Sequence, residues 1–158
     1  MEQNIEISDL ASNEFKKPKL DNNIHLLPQN WSSDIKTEYE FSENTITVKK
    51  LLATNDLQVT IDGFSEESPI ISNRNYEWMG PVIFISYSLL SQNEYILSIA
   101  LNIISNYLTD IFKGLGDNNK VDLKIYKENE DGSIKKISYK GPASGLEKLK
   151  DILKSFNK

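Results

Sequence analysis

The chain has 158 residues, 39% of them hydrophobic and 26% charged, with a formal net charge of −5 and no cysteine. That length suits one domain, which buries about 70% of its unfolded surface and needs no metal or disulfide staple. Without a thiol, disulfides, zinc ribbons, cysteine nucleophiles and iron–sulfur clusters are excluded within the chain.

Residues 1–38 are polar, punctuated by Pro18 and Pro28 and by the turn-forming run Asp21-Asn22-Asn23. They read as a partly ordered arm, anchored by Ile24, Leu26, Leu27 and Trp31. A single domain is expected over residues 39–158. Tyr39 and Phe41, then Ile46 and Val48, alternate with a period of two and predict a first strand region. Leu57, Val59 and Ile61 repeat the pattern before Asp62-Gly63, and Lys49–Ala53 between them reads as a strand extension or a helical turn.

Pro81 to Thr109 is the most distinctive stretch, 29 residues with a single charge, Glu94. Burial is the only stable fate for such a run, in the core, in a partner or in lipid. Val82, Phe84 and Tyr87 open it as a strand or a short helix, which periodicity does not separate. Beyond Asn93, Ile96, Ile99, Ala100, Ile103, Ile104, Tyr107, Leu108 and Ile111 recur at spacings of three and four and predict a helix. Leu97, Leu101 and Phe112 widen its apolar stripe, and Gly114 and Gly116 stop it.

Val121, Leu123 and Ile125 alternate with Asp122, Lys124 and Tyr126 as a half-buried strand, followed by a hairpin turn at Asp131-Gly132 and a return strand from Ile134 to Tyr139. Ser144 and Glu147 form a capping-box pattern for a last helix, with Leu146, Leu149, Leu153 and Phe156 facing inward. The fold class expected is α+β: a small antiparallel sheet with two helices on one face, in the order β-β-α-β-β-α after the irregular arm.

Catalytic patterns are sparse. His25 is the single histidine, sits beside Leu26-Leu27-Pro28, and reads as a structural or solvent-facing residue. A histidine metal site needs more ligands than that, so no metal and no cofactor are expected. A metal-dependent hydrolase would need Asp62 and Asp122 to hold an ion and Lys124 near the attacking water. The same residues read as a strand end and the polar face of a half-exposed strand. Gly114-Leu115-Gly116 follows a helix and precedes a strand, the wrong context for a phosphate loop.

Charge and length bear on partners. Residues 1–80 carry 7 Lys and Arg against 14 Asp and Glu, net −7, while residues 81–158 carry 11 against 9, net +2. An acidic front half argues against nucleic-acid binding, which needs clustered cations. It suits an immunity or inhibitor protein that binds a basic toxin. The opening MEQNIEISDL lacks a basic region ahead of an apolar run, so no secretory signal and a cytoplasmic location are expected. The uncharged segments, Pro81–Asn93 and Tyr95–Thr109, are each shorter than the roughly 20 residues of a membrane span.

A helix that is apolar nearly all round has one face for the sheet and another for a partner or a second copy. Trp78, Met79, Ile99, Ile103 and Tyr107 are the expected contact residues, since aromatics and Met are enriched in interface cores. Trp78-Met79-Gly80, the uncharged helix Ile96–Phe112 and the hairpin Val121–Tyr139 around Asp131-Gly132 are similar to the effector-associated constant components of bacterial conflict systems. The resemblance covers roughly residues 77–158. The chain departs from that pattern in its longer polar front half and in lacking an Arg-rich end to the uncharged helix. The resemblance implies a non-catalytic adaptor, a subunit coupling sensor and effector proteins in defence.

Overall fold

A computed structural model describes residues 4–72, 78–113 and 119–155. Eight strands and four α-helices are assigned among them: β1 (Asn4–Leu10), β2 (Ile24–Leu27), β3 (Phe41–Ser42), α1 (Thr45–Thr54), β4 (Val59–Ile61), β5 (Ile70–Ile71), β6 (Trp78–Ile85), α2 (Tyr87–Gln92), α3 (Ile96–Ile111), β7 (Val121–Glu128), β8 (Ile134–Gly141) and α4 (Leu146–Ser155). Six strands form one mixed sheet in the order β1-β8-β7-β6-β2-β4; β3 and β5 make a separate two-stranded parallel ladder.

The α+β mixture agrees with expectation, but the small antiparallel sheet does not. In the main sheet β6/β7 and β2/β4 are parallel, while β1/β8, β7/β8 and β2/β6 are antiparallel. Parallel neighbours need a crossover. Here α2 and α3 carry the chain from β6 to β7, and α1 lies between β2 and β4. The expected arm over residues 1–38 is corrected too. It supplies the edge strand β1 and the interior strand β2, whose four residues are all buried.

Ile46 and Val48, expected in a strand, belong to α1, where Val48 and Leu52 stand one turn apart in the core. The KKLLA segment is helical with them. β6 buries all eight of its residues, as a central strand covered on both faces must. It tolerates Pro81 because the β6/β7 register shifts between Met79 and Val82. Side chains take up the carbonyls near that irregularity. The Met79 carbonyl accepts from the Ser42 hydroxyl and from Asn44 Nδ2 at 2.8 Å, and the Gly80 carbonyl accepts from Gln29 Nε2 at 3.1 Å. Gly80 must lack a side chain, since a Cβ there would lie 2.7 Å from the Trp78 ring and 2.8 Å from Leu123.

The two sheet faces are covered differently. On one, Ile24, Leu26, Ile83, Ile85, Leu123, Ile125, Ile137 and Tyr139 meet the buried residues of α1, α2, α3 and α4 in the main core. On the other, Leu27, Val82, Phe84 and Ile134 meet Leu10, Phe15, Trp31 and Tyr126, so loop segments replace helices. The β7–β8 hairpin turns at Asp131-Gly132 as expected, with Gly132 at φ +87° and Asp131 Oδ1 accepting from the Ser133 amide at 3.0 Å. Ser144 falls inside a one-turn 3-10 helix, Ala143–Gly145, that leads into α4, rather than serving as a simple N-cap. Gly114, Gly116 and Phe156 lie outside the described residues.

Candidate functional site

The five expected contact residues divide. Trp78 and Met79 are interior, only 3% and 6% exposed on the central strand, because the tryptophan ring closes the core over Gly80. They present no surface in this fold, which corrects their assignment as contacts. Ile99, Ile103 and Tyr107 do follow one another along a flank of α3, with Ile103 and Tyr107 packing partly against the main core. The inward arc is Ile96, Leu97, Ala100, Leu101, Ile104 and Leu108, all buried. Ile99 is 40% exposed, Ile103 and Tyr107 are half-buried, and Tyr95 (57%) and Ile111 (42%) extend the same line at intervals of four. Side chains four apart stack as a ridge along a helix. Beside this ridge runs a groove of about 550 Å³, bounded by Asn55, Ile99, Asn102, Ile103, Glu147 and Lys150. Lys150 donates to Asn102 Oδ1 at 3.0 Å across it, tying α4 to α3.

His25 holds a different constellation. It is 1% exposed on β2, with Nδ1 2.6 Å from Asp62 Oδ2 and Nε2 2.7 Å from Asp21 Oδ1. Asp62 arrives because β4 runs parallel to β2 and its amide donates to the Leu26 carbonyl at 3.0 Å. Asp21 arrives from a turn in which its Oδ1 also accepts the Asn23 amide at 3.0 Å. A neutral imidazole has one N–H, so it satisfies one carboxylate and opposes the other; an imidazolium satisfies both. Burial pulls the His25 pKa down, but the hydrogen bonds and charges of Asp62 and Asp21 outweigh it, and the net shift is upward from 6.5. Burial would raise the Asp21 pKa, and the Asn23 amide, His25 and Lys19 turn the net shift downward.

Sequence reasoning placed His25 as structural or solvent-facing. The structure buries it between the carboxylates of Asp62 and Asp21. The pattern Asp-x-x-x-His was readable, but it says nothing without the β2/β4 pairing that brings Asp62 from 37 residues away.

The hydrolase constellation does not assemble. Asp62 is engaged with His25, and β6 and β2 separate β4 from the strand carrying Asp122 and Lys124. Three strand spacings amount to about 14 Å, too far for two carboxylates to share an ion. Asp122 is 7% exposed and its Oδ1 has no hydrogen-bond partner among the described residues. No group of three or more His, Asp or Glu among the described residues is placed to hold a metal ion. None of the described helices is long and apolar enough to cross a membrane. No protein-family model matches the chain, no curated protein matches it, and no solved structure matches its fold.

Proposed function

We propose that the chain is a non-catalytic protein-interaction module, a subunit of a bacterial multi-protein assembly, that docks through the outward ridge of α3. The observation that carries this reading is the line Tyr95, Ile99, Ile103, Tyr107, Ile111, five large side chains left partly or wholly exposed, Tyr95 at the N-cap and the others along a flank of α3 beside the arc that fills the core. Aligned exposure of this kind favours an apolar partner surface, where scattered single residues would not. The similarity of residues 77–158 to effector-associated constant components supports an adaptor role in defence. The groove between α3 and α4 widens the area that a partner helix or loop could fill.

Ile99→Asp tests the reading more cleanly than a change at Ile103, which packs partly on the core. The expected outcome is loss of the captured partner or of self-association, in pull-down and light scattering, with an unchanged circular dichroism spectrum. A folded Ile99→Asp variant that still associates as the parent does would remove α3 as the interface. Salt distinguishes the acidic-inhibitor alternative, because a charge-driven complex weakens steeply between low and physiological salt and an apolar one does not.

A further inference from the structure

The loop-covered face of the sheet contains a second groove, of about 340 Å³, unrelated to α3. Its floor follows the sheet register. Ser8, Lys136 and Tyr126 stand abreast on β1, β8 and β7, and Lys124 and Val82 stand abreast in the next row on β7 and β6. Glu14, Phe15, Lys16, Gln29 and Trp31 complete its lining.

Two features stand out in a protein of net charge −5. The first is cationic. Lys16, Lys124 and Lys136 line the groove against one carboxylate, Glu14, whose Oε1 already accepts the Ala11 amide at 2.7 Å. The Lys16 amine is occupied: it donates to the carbonyls of Ser33 and Trp31 and to the Tyr39 hydroxyl, and it lies 4.3 Å above the Trp31 ring. Lys124 and Lys136 form no ion pair among the described residues; the amines that do are Lys17, with Glu128, and Lys135, with Asp9. The Lys136 amine lies 5.8 Å from the Tyr126 ring. Asp122, next along β7 on the same face, is buried and does not line the groove.

The second feature is aromatic. Phe15, Trp31 and Tyr126 are all half-buried at the groove. Phe15 stacks on Tyr126 at 4.6 Å, and Trp31 is pinned by its indole N–H donating to the Lys16 carbonyl at 2.5 Å. The rings are therefore held in place before any ligand arrives. Amines without counter-ions beside fixed aromatic rings, in a groove of small-molecule size, recognise a ligand with an anionic group and a planar ring.

We propose that this groove binds a mononucleotide-sized anion of the nucleoside phosphate class, with the phosphate on Lys124 and Lys136 and the base against the aromatic rings. The proposal does not depend on the docking reading, since the groove and α3 lie on opposite faces of the sheet.

The test is a titration of the full chain with adenosine and guanosine monophosphates, followed by calorimetry and by tryptophan fluorescence, to which Trp31 in the groove responds. Saturable millimolar or tighter binding is expected, weakened about tenfold or more in Lys124→Ala/Lys136→Ala. Adenosine alone and inorganic phosphate alone should each bind more weakly than the mononucleotides. Both lysines are partly exposed, so the variant should keep the parent's melting behaviour. Salt provides an independent measure, because raising it should weaken nucleotide binding to the unaltered chain. Absence of saturable binding, or equal binding by the folded double variant, would overturn the proposal. Inorganic phosphate binding as tightly as the mononucleotides would overturn the role of the rings.

Discussion

The two faces of the sheet are held by different physics. The helix face is closed by apolar stripes on α1, α3 and α4, with Leu101, Ile104, Leu146 and Leu149 fully buried against the strands. The other face carries only a small apolar cluster and is fastened by individual polar links: Lys16 to the carbonyls near Trp31, Lys17 to Glu128 at 2.9 Å, and His25 between its two aspartates. Burial of apolar area is non-directional and scales with the whole surface, whereas each polar link depends on one geometry. The helix face should therefore dominate stability, and the loop face should show local, condition-dependent behaviour.

The largest break should come from Leu101→Ala, which empties a fully buried position at the centre of α3. A loss of about 3 kcal/mol in global stability is expected by denaturant titration. Trp31→Ala should cost less, about 1–2 kcal/mol, because the ring is half-buried and one indole hydrogen bond goes with it. Hydrogen exchange would then report faster opening of the loop segments while the amides of α3 keep their protection.

The next effect is a pH dependence. Because the folded pKa of His25 is raised above 6.5, the native chain binds more proton than the unfolded one across that interval. The clamp's contribution is fully present below about pH 6.5 and fades as pH rises through the folded value. Stability measured upward from pH 6 should fall in the parent and fall less in His25→Gln. On the acid side Asp21 acts oppositely: its lowered pKa gives stability that is present above about pH 3.8 and lost as pH falls through the folded value. The smallest change should be in Ile99→Asp, within about 0.5 kcal/mol of the parent, since its side chain is 40% exposed on the outer ridge. A large loss there would show that the ridge is part of the core layer.

The elements with strong local signals were legible in the sequence. The hairpin of β7 and β8 carries period-two alternation and its turn residues, and α3 carries a long apolar stripe. Misreadings arose where tertiary pairing overrides local pattern. Thr45 to Val48 alternates like a strand, yet Val48 and Leu52 fit one helical face once α1 packs beside β4. β2 is four residues within a polar region, and nothing in Ile24–Leu27 announces a place between β6 and β4. Parallel pairing leaves no turn chemistry behind, so β6/β7 and β2/β4 were invisible. The outer line of α3 was partly readable from spacing. The lysine–aromatic groove was not, because its lining comes from five separated segments.

The edge strand β1 has a further consequence for the order of folding. Its partner β8 is far along the chain; the Asp9–Lys135 link spans 126 residues. Bringing such distant segments together costs loop-closure entropy that a local hairpin avoids. The β7–β8 hairpin can therefore form while its outer edge is still unpaired, and β1 covers that edge only once the rest of the sheet exists. Pulse-labelled hydrogen exchange should find the amides of β1 protected after those of β7. Until that moment β8 presents an open strand edge, the period in which a crowded folding chain is most exposed to pairing with a neighbour.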